Sequence, residues 1–230
     1  MDNNFDLTFI TNEDNNKLVD RFNVLIRDTK FFDVLVGYFY TSGFYSIYKS
    51  LENTDKIRIL IGIKTDKETL FRMEEAKQLE LEYSQTEAKR LYVDTLKAEM
   101  EECEDSQAVE SGVQTFVNWL RKGKIEIRAY PSANIHAKLY VMSFGDDDRD
   151  RGRVITGSSN FTRSGLIDNL ELNVELKNAS DYDYALNKFN QLWGTSVDVS
   201  DKYIETIEHN TWLSNDISPY ELYLKFLYEY

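Results

Sequence analysis

Hydrophobic positions along the chain fall into short runs of two kinds, and their alternation sets the expected architecture. Leu7 to Thr11 reads as a short strand. Asn15 to Asp28 places Leu18, Phe22, Leu25 and Ile26 on one side of a helix, the spacing of an apolar stripe. Phe31 to Tyr40 (FFDVLVGYFY) is almost continuously apolar, as in a strand buried on both faces. Ser42 to Leu51 is expected to be helical, and Lys56 to Lys64 (KIRILIGIK) to form another strand. Lys124 to Tyr130 (KIEIRAY) and the runs HAKLYVMSF and RVITG complete the strand set. Such a β-α-β order predicts an α/β fold: a mixed, largely parallel sheet with flanking helices.

Two stretches depart from this rhythm. Asp66 to Arg121 contains no proline, only Gly112 interrupts it, and it is rich in Glu, Lys, Leu, Ala and Gln. These are good helix formers, so two or three inserted helices are expected over residues 66–122. Beyond Lys177 the pattern is helical again, over Tyr182 to Trp193 and Lys202 to Glu208. Ser218-Pro219-Tyr220-Glu221 then has the spacing of a capping box with proline at the first helical position. The helix that it starts is still running at Tyr230, so further polypeptide is expected to follow. The expected organisation is one domain over residues 1–180 and a helical C-terminal extension over residues 181–230.

Charge changes the picture only once it is located. The formal net charge is −13, which is unfavourable for a nucleic-acid enzyme. From Asp66 to Glu110 there are 14 acidic and 6 basic residues, a net of −8, read as a solvated helical face. Between Pro131 and Lys177 there are 7 acidic and 6 basic residues, so that region is nearly neutral. No run of 18 apolar residues and no charged-then-apolar leader is present, and the expected compartment is the cytoplasm. Cys103 is the only cysteine, which excludes an internal disulfide and a cysteine cage for a metal. The two histidines, His136 and His209, are too few for a multi-histidine metal site.

Candidate chemistry gathers between Asn134 and Glu175. His136 and Lys138 stand two apart at the head of an alternating apolar run, so on a strand they project to one face. Gly157-Ser158-Ser159-Asn160 follows the next run and places a hydroxyl and a carboxamide in a tight turn at its end. A histidine surrounded by an ammonium, a hydroxyl and an amide suits an anionic oxygen. The Asp146 to Asp150 run mixes both signs at an expected hairpin tip and reads as a solvated loop. His209 has no motif around it and reads as a surface residue, and Glu175 reads as structural.

At these residues the sequence resembles the phospholipase D superfamily, whose signature is H-x-K-x4-D-x6-G-S-x-N. His136 and Lys138 match its first half, and Gly157, Ser158 and Asn160 its second. Asn169-Leu170-Glu171 is similar to the N-x-E that continues it. Ser143 replaces the motif's Asp, and the polar stretch Gly145 to Gly152 lengthens the spacing between the two halves. The resemblance implies phosphodiester cleavage through a phosphohistidine on His136, with no metal and no cofactor. Lys138, Ser158 and Asn160 would stabilise the phosphoryl oxygens, and Glu171 would accept the other ring N–H of His136. It further implies a homodimer with the two motifs facing, since a second histidine must protonate the leaving oxygen. The order of elements and the tail SPYELYLKFLYEY also resemble the front module of bacterial Snf2-type helicases, which implies DNA as substrate and a helicase portion as partner. Two alternatives remain open at this point: a lipid phosphodiesterase, and a catalytically silent nucleic-acid-binding or dimerisation module.

Overall fold

A computed structural model of the chain describes residues 8–37, 39–62, 107–130, 135–145, 150–201 and 204. Its centre is the apolar run predicted to be a doubly buried strand, now β2 (Thr29–Val36). β3 (Lys56–Gly62) and β4 (Ile125–Tyr130) follow parallel to it on one side. On the other side β5 (Leu139–Phe144) lies antiparallel to β2, and β6 (Gly152–Gly157) and β7 (Asn173–Leu176) continue antiparallel outward. The two-residue strands β1 (Phe9–Ile10) and β8 (Val197–Asp198) close the edges against β7 and β4. The order across the sheet is β1-β7-β6-β5-β2-β3-β4-β8.

The sheet is mixed, as expected, but it is mostly antiparallel rather than largely parallel. Only the β2–β3 and β3–β4 pairs are parallel among the seven pairings of described strands. Parallel neighbours need a crossover from one end of the sheet to the other. α2 (Thr41–Ile47) lies in the β2–β3 crossover, and α3 (Gln107–Arg121) leads into β4. From β5 to β7 the chain turns back at the end where each strand finishes, so each of these strands runs opposite to the one before it.

Both faces of the sheet are covered. α1 (Leu18–Leu25), α2 and α3 pack on one face, where Phe22, Phe44, Phe116, Val34, Ile59, Tyr140 and Phe161 form one buried cluster. Each fully buried aromatic side chain there contributes about 1.5–3 kcal/mol relative to exposure. α4 (Ala179–Gly194) covers the other face, setting Phe189 and Trp193 on Leu35 and Leu60, and Tyr182 and Ala185 on Val141 and Val154. The alternation of these two contact sets along β2 and β5 follows directly from the two-residue period of a strand.

The inserted segment and the tail are described only in part. α3 is the last expected helix of the insertion, and it buries Val113, Phe116, Val117 and Leu120 in the core. Residues 63–106, the acidic run 146–149, and the helices expected after residue 201, including His209, lie outside the described residues.

Candidate active site

β2 has a neighbour reached forward along the chain on one side and one reached by return on the other. In open α/β sheets the crevice beyond the strand ends at such a switch point is where ligands bind. Here that end is formed by the last residues of β2, β3 and β6 and the first residue of β5. Leu35 pairs with Leu60 and Leu139, and Leu139 pairs with Thr156, so these residues stand level.

The segment Ile135–Lys138 runs over this end before β5 begins at Leu139. His136 and Lys138 are therefore not the first strand residues that alternation predicts. Two glycines make the crossing possible. A Cβ on Gly62 would stand 2.8 Å from the Ile135 carbonyl oxygen, and one on Gly37 would stand 3.2 Å from it. The His136 residue is exposed and Lys138 half-buried. Lys138 Nζ donates to the His136 backbone carbonyl at 2.8 Å, which folds the ammonium back beside the histidine.

Lys138 also ties the two halves of the motif together through its own backbone. Its carbonyl accepts from Thr156 Oγ1 at 2.8 Å and from the Gly157 N–H at 3.4 Å. Directly after, the Ser158 hydroxyl donates to Glu171 Oε2 and accepts the Leu172 N–H at 2.9 Å. Glu171 thus takes its hydrogen bond from Ser158, not from an imidazole. The Asn160 side chain reaches the same crevice: a Cβ on Gly37 would stand 3.6 Å from its Oδ1. All five residues singled out by the motif thus gather at one end of the sheet.

Between Ser158 and Asn160 lies Ser159, fully buried, and every polar atom described for it is engaged. Its N–H donates to Asn173 Oδ1 at 3.3 Å, and its hydroxyl oxygen accepts from Asn173 Nδ2 at 2.8 Å. Its carbonyl accepts from the Tyr140 hydroxyl at 2.9 Å. Burial, and then the negative charge of Glu171, push the Tyr140 phenol well above its usual range, so it stays a hydrogen-bond donor. Tyr140 and Asn173 clamp the turn that carries the two candidate phosphate-binding groups. The sequence gives no hint of this, because a tyrosine inside an apolar strand reads as core and Asn173 lies outside the motif.

Glu175 is structural, as expected. Its buried carboxylate receives a bidentate pair from Arg21, at 2.6 and 2.8 Å, and lies 3.5 Å from Arg153. Ser143, in the position of the motif's Asp, sits toward the opposite end of β5 and accepts the Tyr182 hydroxyl at 2.7 Å. The lost carboxylate is therefore remote from the crevice. Among the described residues no group of three metal-ligating side chains occurs, and no helix is long and apolar enough to cross a membrane.

Comparison with known proteins adds to this geometry. A domain family described as "Cardiolipin synthase, PLD-like domain" matches residues 24–193, which include all five motif residues. No curated protein matches the sequence. Among solved structures, phosphatidylserine synthase from Haemophilus influenzae is similar at 14% identity with a TM-score of 0.50, over 96% of this chain and 44% of that one. The chain thus spans less than half of that synthase. Nuc from Salmonella typhimurium, a phospholipase D family member, is similar at 17% identity with a TM-score of 0.43, over 76% of this chain and 86% of that one. NucT from Helicobacter pylori gives 11% identity and a TM-score of 0.42, over 79% and 90%.

Proposed function

Because the chain belongs to the phospholipase D-like domain family over residues 24–193, and so to a superfamily of phosphodiesterase type, we propose that it hydrolyses DNA phosphodiesters through a phosphohistidine. The observation that carries this reading is that the exposed His136 comes to the same sheet end as Lys138, Ser158 and Asn160. The unprotonated ring nitrogen of His136 attacks phosphorus, and the bond to the leaving oxygen breaks. A second histidine, from another copy of the chain, gives that oxygen its proton. Water then attacks the same phosphorus and the P–N bond breaks, which releases the remaining strand as a terminal phosphomonoester and regenerates the free imidazole of His136. Lys138 and the Asn160 amide stabilise charge on the non-bridging oxygens. Ser158, held by Glu171, adds a polar group beside them. The open position of His136 suits a long polymer, and the resemblance to helicase front modules favours DNA within a larger helicase-type protein.

The test is cleavage of single- and double-stranded DNA by the purified chain in millimolar EDTA, beside His136→Ala and Lys138→Ala. Cleavage is expected to persist in chelator and to fall by at least about 100-fold in either variant, a loss typical of removing a nucleophile or a charge-stabilising group. Activity that EDTA removes and magnesium restores would overturn the mechanism. A lipid substrate would show instead as hydrolysis of phospholipid vesicles with DNA left intact.

A further inference from the structure

Asn160 and Glu171 are the two ends of one loop, and the loop is held from a distant part of the chain. Its middle, Ser164–Asp168, is a π-helical turn, a rare form found disproportionately at functional sites. Gly165 in that turn packs directly on Asn160: a Cβ there would stand 2.4 Å from the Asn160 carbonyl oxygen and 3.0 Å from its nitrogen. Whatever fixes Gly165 therefore fixes the backbone of Asn160. Asn12 does so. Its Nδ2 donates to the Gly165 carbonyl at 2.9 Å and to the Asn169 carbonyl at 3.1 Å. Its Oδ1 accepts the Leu18 N–H at 2.8 Å, which ties the same amide to the start of α1. Next to it the Thr11 carbonyl accepts the Glu171 N–H at 3.2 Å. Asn12 is itself 8% exposed and sits at φ 63°, a left-handed conformation that asparagine tolerates better than most residues.

We infer that Asn12 is a positioning residue for the crevice: its side-chain amide sets the π-turn and so places Asn160 and Glu171. The catalytic readout of this inference rests on the proposed function. Two variants separate positioning from a plain helix cap. Asn12→Asp keeps the shape and the acceptor for Leu18 but replaces the donor by an oxygen facing two carbonyls. Asn12→Gly keeps the left-handed backbone and deletes the amide. Both are expected to lower kcat on a chromogenic phosphodiester by roughly 10- to 100-fold with KM shifted by less than about threefold, since small misplacement of reacting groups costs rate more than ground-state binding. Thr29→Ala, which deletes a buried hydroxyl bond to the Leu25 carbonyl, is expected to lower the melting temperature and leave kcat within about twofold, because β2 starts at the far end from the crevice. Hydrogen exchange supplies a readout independent of activity: amides 160–172 should exchange faster in Asn12→Asp while β2 and β3 keep their rates. A folded Asn12→Asp protein with unchanged kcat and exchange would overturn the inference, as would faster exchange spread evenly over the sheet. If the native chain cleaves no phosphodiester at all, the proposed function falls, and exchange over residues 160–172 decides the positioning by itself.

Discussion

Asp33 and Arg58 face each other across β2 and β3 in a bidentate pair, with both bonds at 2.6 Å, yet they are not equally dependent on it. The Asp33 side chain is 1% exposed, whereas Arg58 is 23% exposed and lies over the rings of Phe189 and Trp193. Burial raises the Asp33 carboxyl above its usual range, and Arg58 opposes the rise without cancelling it. A carboxyl raised in the folded state contributes its full stability below the unfolded value, and that contribution is lost as pH climbs through the folded value. Arg58→Met removes the opposing cation and leaves a buried carboxylate alone. It should cost about 3–5 kcal/mol near neutral pH, and the cost should shrink in mild acid as Asp33 takes up a proton. Asp33→Asn should cost less, because Arg58 retains two aromatic faces and some solvent. Urea denaturation of the three proteins at neutral pH and in mild acid checks this. A penalty for Arg58→Met that is the same at both values would show that Asp33 does not carry the effect.

Among the elements, the β6–β7 pair matters most to the crevice, because Ser158 and Glu171 leave it at adjacent points. A Cβ on Gly157 would stand 2.3 Å from the Leu172 carbonyl oxygen and 2.6 Å from the Asn173 Cα, both backbone atoms that cannot move aside alone. Gly157→Ala should therefore pry the two strands apart where Ser158 meets Glu171. The expected loss is about 1–3 kcal/mol of stability, the usual scale of overpacking, together with most of the cleavage activity. A variant that melts with the native protein and cleaves at the native rate would contradict the tight pairing. How far such elements can be read in advance depends on their length and burial. β2, β3 and β4 announce themselves as apolar runs, and α1 and α4 as stripes at helical spacing. The motif residues were likewise legible, since their spacing is a matter of sequence alone. The π-turn was not, because five residues carry no period. Nor was the clamp of Tyr140 and Asn173 on Ser159, which exists only once strands distant in sequence lie side by side. The excess of antiparallel pairing was hidden for a similar reason: apolar alternation gives a strand's faces but not its direction.

At the scale of the whole molecule, the crevice as described holds one histidine, whereas the proposed chemistry uses two. His136 is exposed, and beside Ser158 and Glu171 the chain presents Leu170 at 74% and Leu172 at 57% exposure, with Phe9 at 56% on the edge strand β1. An exposed apolar fringe at the sheet end that carries His136 suits a two-fold contact in which each copy brings its own His136 to a shared cleft. Two chains then supply one reaction centre. Light scattering should report a dimer, and Leu170→Glu with Leu172→Glu should yield folded monomers that do not cleave. Mixing provides the sharper test, because it leaves Leu170 and Leu172 unchanged. When native chains are equilibrated with an equal amount of His136→Ala chains, about one quarter of two-fold dimers pair two native copies. If one phosphodiester needs both histidines, activity per native chain falls to about half of its unmixed value, since half of the native chains are then locked with silent partners. If each copy works alone, activity per native chain stays at its unmixed value, and the shared centre is excluded.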